Sequence, residues 1–309
     1  MSEQFSHKSV LLNEAVDALN VKPNGIYVDG TAGGGGHSYE IAKRLNGGRL
    51  IAIDRDPSAV KAATQRLAEF QNVTVVNARF SQINEILDSL KIDKIDGFLL
   101  DLGVSSHQLD TADRGFSYHY DAPLDMRMSD SGVSAEDLVN TLGERELSDI
   151  FIKYADERFA GRIARRIVEQ RVVSPIDTTL KLASLVSECY PPKLRRDGHP
   201  ARKVFQALRI AVNDEFGEEE RALNDGFERL AAGGRFSVIT FHSAEDRLVK
   251  QAFATFCSGC TCPPDFPVCV CGKKPRAKQI FRKPVTAGEQ ELSNNPRSRS
   301  AKLRAVEKL

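Results

Sequence analysis

The stretch Val28-Asp29-Gly30-Thr31-Ala32-Gly33-Gly34-Gly35-Gly36-His37 decides the fold of this chain. It ends the short apolar run Ile26–Asp29 and leads into a segment with helical character, Ser38–Leu45. A strand that enters a helix through a glycine-rich turn is typical of the first unit of a doubly wound α/β sheet. Four consecutive glycines cost backbone entropy, so the turn indicates a ligand that approaches the backbone closely.

Strand and helix patterns alternate through the first hundred residues. The strands are near-continuous apolar runs, which predicts a sheet that is covered on both faces. This alternation also predicts parallel strands joined by right-handed crossovers, and therefore an α/β fold. The predicted strands are Ile26–Asp29, Leu50–Asp54, Val73–Asn77 and Ile95–Asp101, and the predicted helices are Ser38–Leu45, Pro57–Phe70 and Ile83–Leu90.

The alternation ends after Ser106. A polar loop and five helical segments follow, at 134–142, 144–154, 158–170, 179–187 and 201–214, with no convincing strand among them. The strand pattern returns at Arg235–Phe241, and then come a helix over Ala244–Phe256 and strand candidates at Gln279–Phe281 and Ala301–Val306. We therefore predict one discontinuous α/β domain, 1–106 and 210–309, and an inserted all-helical domain, 107–209, that recognises the substrate.

Composition limits the class of protein. The chain has 309 residues, of which 41% are hydrophobic, so it can bury a full core. No apolar run is long enough to span a membrane, and the polar N-terminus lacks the apolar region of a secretory signal. We expect a cytoplasmic protein with no membrane partner and no obligate protein partner.

Five of the six cysteines lie close together between Cys257 and Cys271. Two close clusters separated by a loop that contains proline can wrap one tetrahedral ion through four thiolates, which predicts a structural zinc site in a reducing compartment. An iron–sulfur cluster and reduced free thiols are the alternatives. The predicted ligands are four of the five residues Cys257, Cys260, Cys262, Cys269 and Cys271.

Positive charge is unevenly distributed. The net charge is only +1, yet the segment from Gly272 to Leu309 holds eleven Lys and Arg residues against three Glu. The segment Arg158–Arg171 is also basic. Basic surface beside a neutral remainder predicts a polyanionic partner whose phosphates these residues contact, although each patch alone is also compatible with an ordinary solvated surface.

The glycine turn does not match a dinucleotide site. That fingerprint requires a further glycine where this chain has Ser38 or Tyr39, and no Walker-type Gly-Lys-Ser/Thr follows. The spacing of Asp29, Gly33 and Gly35 resembles motif I of methyltransferases, and a carboxylate near the turn can complement the cationic groups of S-adenosylmethionine. Asp54 lies 21 residues after Gly33, the spacing expected of a carboxylate that binds ribose hydroxyls.

Asp101 closes the fourth predicted strand, where a substrate-facing group is expected. A carboxylate there can hold the hydrogens of a target amine, orient its lone pair and disperse the developing positive charge. The alternative is a carboxylate that only caps local backbone. Ser105, Ser106, His242 and Ser243 are secondary candidates for the same rim, and Asp125 with Arg127 forms either part of the pocket or a structural clamp.

Nine blocks along the chain resemble the RsmH (MraW) family. They are Asp29–Ser38, Ala52–Asp56, Leu100–Ser106, Arg114–Ser117, Pro123–Met128, Arg158–Ala160, Phe205–Ile210, Phe241–Arg247 and Asn295–Ser300, and they span nearly the whole chain in the family's order. The resemblance implies a Rossmann-like class I methyltransferase with a largely parallel sheet. It also implies methyl transfer from S-adenosylmethionine to N4 of a cytidine in the decoding region of 16S ribosomal RNA, with the small ribosomal subunit as partner.

The resemblance also implies which residues bind the cofactor. Asp54 would bind the ribose, Phe80 would lie beside the adenine and Asp101 would lie near the methionyl end. The full implied set is Gly35, Gly36, His37, Asp54, Phe80, Asp101 and Gln108. From the residues alone, Phe80 could instead be a core residue, and His37 could cap the helix that follows it.

Two other functions remain possible from the sequence. A DNA amino-methyltransferase has a similar motif I, but such enzymes usually carry Ser/Asn/Asp-Pro-Pro-Tyr where this chain has Asp101-Leu-Gly-Val. An RNA-binding assembly factor that holds the cofactor without catalysis is the alternative of a different class. Loss of methyl transfer with retained cofactor binding in Asp101→Ala would favour the enzyme.

Overall fold

The computed structural model describes residues 9–129, 131–196, 199–259 and 271–309. The chain divides into two compact units, one made of residues 1–103 and 217–309 and the other of residues 104–216. The assignment of residues 107–209 to a domain for substrate recognition stays a prediction.

The first unit is built on a seven-stranded sheet. Its strands are β1 (Ile26–Asp29), β2 (Arg49–Asp54), β3 (Val73–Asn77), β4 (Ile95–Asp101), β5 (Leu230–Thr240), β6 (Ala277–Gln279) and β7 (Lys302–Lys308). They lie in the order β3-β2-β1-β4-β5-β7-β6, and β7 runs antiparallel to both of its neighbours while β1 to β5 are parallel. The predicted fold class, a Rossmann-like α/β fold with a largely parallel sheet, is therefore confirmed.

The helices alternate with the strands in the first unit and follow one another in the second. They are α1 (Leu12–Leu19), α2 (Gly36–Arg44), α3 (Pro57–Arg66), α4 (Ile83–Ser89), α5 (Ser106–Asp110), α6 (Ala135–Thr141), α7 (Glu144–Ala155), α8 (Ala160–Val173), α9 (Thr179–Glu188), α10 (Ala201–Asn213), α11 (Glu215–Arg229), α12 (Ser243–Cys257) and α13 (Glu289–Asn294). Short 3₁₀ helices lie at Phe80–Gln82, Ala112–Arg114, Pro192–Arg196 and Pro296–Ser300. Within the described residues, no helix is long and apolar enough to cross a membrane.

Both faces of the sheet are covered by apolar side chains. On one face, residues of α4, α11 and α12 pack against the strands, where Phe98 and Phe236 stack with ring centroids 4.7 Å apart. On the other face, residues of α1, α2 and α3 cover the sheet. Continuous apolar strands are stable only when neither face meets water, which explains the strand composition.

The second unit has its own apolar core. Residues of α6 to α10 form that core together with residues of the preceding loop, including Leu124 and Met126, which are fully buried. In the described part of this unit the only strand-like pairing is an isolated bridge between Pro123 and Thr178. The unit is therefore helical, and it can bury a core without the sheet.

Besides the short helices α5 and α13, the helices α1 and α11 have no counterpart in the predicted pattern. The residue before α1 is Leu11, whose φ of 50° is left-handed and whose side chain cannot cap a helix. The helix α11 contains Gly217 and Gly226, which weaken a helical signal. Both form because tertiary packing buries their apolar sides, as Val16 and Leu19 of α1 and Phe227 of α11 illustrate.

Candidate active site

The glycine turn is fixed to the carboxyl edge of the sheet by main-chain hydrogen bonds. The Gly30 N–H donates to the carbonyl of Leu99 in β4 (2.9 Å), and the Ala32 N–H donates to the carbonyl of Ile53 in β2 (2.9 Å). The turn therefore sits over the ends of the three central strands. In doubly wound sheets, ligands bind at this edge, outside the carboxyl ends of the strands.

Two glycines in the turn have backbone conformations that favour glycine. Gly33 has φ of +52° and Gly35 has φ of +76°, both left-handed. A Cβ on Gly35 would also lie 3.3 Å from Cδ of Arg66. The turn thus reverses the chain and starts α2 at Gly36, leaving a backbone surface without side chains next to the strand ends.

Both carboxylate oxygens of Asp29, the last residue of β1, accept hydrogen bonds from the protein. The residue is fully buried, its Oδ1 accepts from the Thr31 N–H (3.1 Å) and its Oδ2 accepts from the Ser38 hydroxyl (2.6 Å). Burial raises the pKa of this carboxyl group to about 6, although both hydrogen bonds oppose the rise. Asp29 therefore holds the turn and the first turn of α2 together, and its contact with cationic cofactor groups stays a prediction.

Asp54, the last residue of β2, links the turn to the next strand. Its Oδ2 accepts from the Gly33 N–H (2.8 Å), and its Oδ1 accepts from the Asp56 N–H (2.9 Å). Burial raises its pKa to about 6. Each carboxylate oxygen can accept a second hydrogen bond, so the side chain can also receive ribose hydroxyls. That contact stays a prediction.

Asp101, the last residue of β4, differs from the other two carboxylates. Its main-chain N–H donates to the Thr31 hydroxyl (2.6 Å), which fixes the end of the strand. Its side chain is 18% exposed, and Oδ1 is buried without a hydrogen-bond partner among the residues that the structure describes. Burial, together with the negative charges of Asp29 and Glu245, raises the pKa of Asp101 well above its usual value. A buried acceptor with no partner in this part of the chain can accept a ligand hydrogen.

His37, the second residue of α2, faces Asp101. Its Nε2 lies 3.0 Å from the main-chain oxygen of Val10, and its Nδ1 lies 3.8 Å from Asp101 Oδ2. The N-cap of α2 is Gly35, which has no side chain to cap the helix. The alternative that His37 caps the helix is therefore wrong, because its ring turns away from the helix N-terminus toward Val10 and Asp101.

Phe80 follows β3 and begins a 3₁₀ helix beside the turn. The side chain is half-buried and packs partly against the core under the sheet, and a Cβ on Gly30 would lie 3.1 Å from Phe80 Cβ. Gln108 belongs to the second unit, where it forms a capping box with Ser105 at the start of α5 (3.0 and 3.2 Å). The cofactor contacts of both residues stay predictions.

Glu245 is a buried carboxylate that the sequence pattern did not single out. It is fully buried at the start of α12, and its Oε2 accepts from the N–H groups of Phe241 (2.8 Å) and His242 (3.1 Å). The spacing of His242 and Glu245 ahead of an apolar run is that of a capping box, and this signal identifies the residue. Glu245 adds negative charge next to Asp101.

Asp125 and Arg127 of the second unit form the structural clamp that was one of two alternatives. Nε and Nη2 of Arg127 donate to the two carboxylate oxygens of Asp125 (3.0 and 2.6 Å). Burial alone would raise the pKa of Asp125, but the hydrogen bonds from Arg127 bring it below its usual value. A paired, two-pronged contact of this kind stabilises the loop that carries it.

The predicted zinc ligands fall mostly outside the described residues. Cys260, Cys262 and Cys269 lie in the stretch 260–270, whereas Cys257 ends α12 and Cys271 follows the gap. Burial raises the pKa of the Cys257 thiol. The zinc site stays a prediction.

The arrangement at this edge fits S-adenosylmethionine. The turn gives close access to backbone at Gly33 and Gly35, Asp54 can bind ribose hydroxyls, and the unpartnered oxygen of Asp101 can accept a ligand hydrogen. The strand order with an antiparallel seventh strand is that of class I methyltransferases. Fold and site together define a methyltransferase of this class.

Comparison with known proteins identifies the family. The model of the MraW methylase family matches residues 4–309, and the chain belongs to this family. It is 55% identical to the ribosomal RNA small subunit methyltransferase H of Paenibacillus sp. (strain JDR-2), covering 99% of this chain and 100% of that protein. It is 53% identical to the protein of the same name from Lachnospira eligens, covering 99% and 98%. An rRNA methylase structure from Streptococcus thermophilus aligns with a TM-score of 0.43 at 11% identity, covering 98% and 99%.

Proposed function

We propose that this chain transfers a methyl group from S-adenosylmethionine to the exocyclic N4 of a cytidine in the decoding region of 16S ribosomal RNA, in the cytoplasm. Asp101 orients the amino group and accepts its hydrogens. The observation that carries this proposal is the buried oxygen of Asp101 that has no partner within the described residues, at the strand end beside the glycine turn. Membership of a methylase family supports the same chemistry.

Cofactor binding is assigned to the residues around the turn. Gly35, Gly36 and His37 would line the cofactor, Asp54 would hold its ribose, and Phe80 would lie beside its adenine; Gln108 is proposed as a further cofactor-binding residue. S-adenosylmethionine supplies an electrophilic methyl group when bound. The half-buried Phe80 ring, at the end of β3, offers an apolar surface for a purine.

The amino group of cytosine needs help from the protein, because its lone pair is delocalised into the ring. A carboxylate that accepts one amino hydrogen orients that lone pair and stabilises the positive charge that develops on nitrogen. After the methyl group is gained, one N–H bond breaks and an O–H bond forms at Asp101. The raised pKa of Asp101 favours this step, since a basic carboxylate takes up a proton more readily.

The RNA substrate is supported by the relatives and by surface charge. The curated relatives carry the name ribosomal RNA small subunit methyltransferase H. Thr240 of β5 pairs with Lys302 of β7, which places the 3₁₀ helix Pro296–Ser300 next to the carboxyl edge of the sheet. Arg297 and Arg299 are exposed there. Phosphate contacts by such residues give affinity without base specificity, so the base is selected elsewhere.

The test is transfer of a tritiated methyl group to small ribosomal subunits from a strain that lacks this protein, followed by identification of the labelled nucleoside. We expect label in N4-methylcytidine from the decoding region, and loss of label with Asp101→Ala while the cofactor still binds. Label in DNA would favour the amino-methyltransferase that acts on DNA. Cofactor and RNA binding without any label would favour an assembly factor, and label on a ring carbon would overturn the N4 assignment.

A further inference from the structure

Two polar groups with different chemistry lie near the ring nitrogens of His37. Nε2 lies 3.0 Å from the main-chain oxygen of Val10, and Nδ1 lies 3.8 Å from Asp101 Oδ2. Only 4% of the His37 side chain is exposed, so the ring is held in this orientation by packing. One imidazole thus connects the chain segment ahead of α1 with the carboxylate at the end of β4.

The contact with Val10 determines the tautomer of this ring. A main-chain carbonyl can only accept a hydrogen bond, so Nε2 carries the hydrogen. In the neutral ring Nδ1 is then an acceptor, and its lone pair faces Asp101. A backbone carbonyl that fixes one histidine nitrogen in this way decides what the other nitrogen can do.

Asp101 needs a neighbouring group that can take up the proton that it has accepted. Asp29 from β1 and Glu245 from α12 both place negative charge near Asp101, and the carboxyl group is desolvated. The Thr31 hydroxyl accepts a hydrogen bond from the Asp101 main-chain N–H, and the Ser38 hydroxyl donates to Asp29. Both hydroxyls therefore already make hydrogen bonds within the protein. A carboxylate that has accepted a proton in such surroundings keeps it, and must pass it on before the next turnover.

We propose that His37 is the positioning residue for Asp101: its Nδ1 faces the carboxyl group and takes up the proton that Asp101 accepts from the reacting amine. This inference rests on the proposed role of Asp101. In the first step the N–H bond of the methylated amine breaks and an O–H bond forms at Asp101. In the second step that O–H bond breaks and an N–H bond forms at His37 Nδ1, giving an imidazolium ion beside a carboxylate. Water then removes the proton.

The substitution His37→Gln separates this role from a purely structural one. The glutamine amide reaches the position of Nε2 and can still donate to the Val10 carbonyl, but it offers no titratable nitrogen to Asp101. Because His37 is also proposed to line the cofactor, the cofactor dissociation constant is measured on the same preparation and the rates are compared at saturating cofactor. We expect the steady-state rate to fall about tenfold to a hundredfold, the range typical of groups that orient a functional residue.

The pH profile is the readout that a structural role would not change. In the original protein the neutral Nδ1 accepts a hydrogen bond from the protonated carboxyl group of Asp101 and stabilises that form, so without the imidazole Asp101 releases its proton at lower pH. The pH of half-maximal rate should therefore fall in His37→Gln. The exposed His119 of the second unit provides the control, since His119→Gln should keep the midpoint of the unmodified protein. A lower rate with an unchanged midpoint would overturn the proposal.

A second measurement needs no activity. In protein labelled with ¹⁵N-histidine, the resonances absent from His37→Gln belong to His37, and we expect them to report the tautomer with hydrogen on Nε2. Hydrogen on Nδ1 would overturn the proposal. If Asp101→Asn still transfers methyl groups, the acceptor role of Asp101 fails and the role of His37 fails with it. If Asp101→Asn loses transfer but His37→Gln keeps the original pH midpoint, only the role of His37 is wrong.

Discussion

The ends of the neighbouring strands β1 and β4 each carry an aspartate, and the two are used in opposite ways. Both oxygens of Asp29 are hydrogen-bonded, to the Thr31 N–H and the Ser38 hydroxyl, and the residue is fully buried. Asp101 retains an oxygen without a partner in the described structure and a partly exposed side chain. A carboxylate whose hydrogen bonds are complete builds the site, and one with an open oxygen is available for a substrate.

The same comparison explains the role of the buried polar groups in the glycine turn. Thr31 donates its N–H to Asp29 and receives the Asp101 N–H on its hydroxyl, so one residue ties both strand ends together. Asp54 fixes Gly33 from the other side. The rigid frame around Asp101 means that its open oxygen is held in position before a substrate arrives, which is the condition for catalysis by positioned groups.

The largest expected effect is on catalysis, with Asp101→Asn. The amide has nearly the shape of the carboxylate but cannot accept a proton at neutral pH. We expect methyl transfer to fall about a hundredfold to ten-thousandfold, the usual contribution of a general base. The measurement is the single-turnover rate, with cofactor affinity measured on the same preparation. If the variant transfers methyl groups at more than a tenth of the original rate, Asp101 is not the group that accepts the proton.

The next effect concerns the pH dependence of stability, with Asp29→Asn. Burial raises the pKa of Asp29 to about 6 from 3.8, so the folded protein holds this proton more tightly than the unfolded chain. The free energy of unfolding therefore falls as pH rises from about 4 to 6 and is level above that window. Relative to the original protein, the variant should gain about 2.4 kcal/mol between pH 4 and pH 7.

Urea denaturation of both proteins at pH 4 and at pH 7 measures this difference. Asp54, whose pKa is also about 6, is present in both proteins, so the effect of its own burial cancels. An equal difference at the two pH values would mean that Asp29 is not a desolvated carboxylate, and the contrast with Asp101 would lose its basis.

A smaller loss of stability is expected for Ser38→Ala. The Ser38 hydroxyl donates to Asp29 over 2.6 Å and is fully buried, so its removal takes a hydrogen bond from a buried carboxylate. The expected decrease in the free energy of unfolding at pH 7 is about 2 kcal/mol. Thermal or urea unfolding measures it. Thr64→Ala, which removes an exposed hydroxyl from α3, is the control and should change stability by less than about 0.5 kcal/mol.

The smallest effect is expected for Gly35→Ala in the turn. The left-handed φ of +76° disfavours a side chain, and the new Cβ would lie 3.3 Å from Cδ of Arg66. We expect a decrease in the free energy of unfolding of about 1–2 kcal/mol. The same substitution at Gly161, inside α8, should instead leave stability unchanged or raise it by up to about 1 kcal/mol. Equal effects at the two positions would show that the turn is not strained by a side chain.

Much of the fold could be predicted because its signals are local. The apolar runs that became β1, β2, β3 and β4 and the helical spacing between them are properties of short segments. The pattern also predicted strands β5, β6 and β7 to within a few residues. The helices α1 and α11 were not predicted, because α1 lacks a capping residue, α11 contains two glycines, and packing supplies the missing stability.

The sequence by itself determined the strand–turn–helix at residues 26–44, the three carboxylates at strand ends and the family. The residue types and their spacing along the chain are sufficient for these, since parallel strands place their carboxyl ends at one edge. Only the tertiary structure decided that both oxygens of Asp29 accept hydrogen bonds, while one oxygen of Asp101 has no partner within the described residues. It also decided that His37 faces Asp101 and Val10. Hydrogen-bond partners come from residues distant in sequence, and no local pattern encodes which oxygen remains without one.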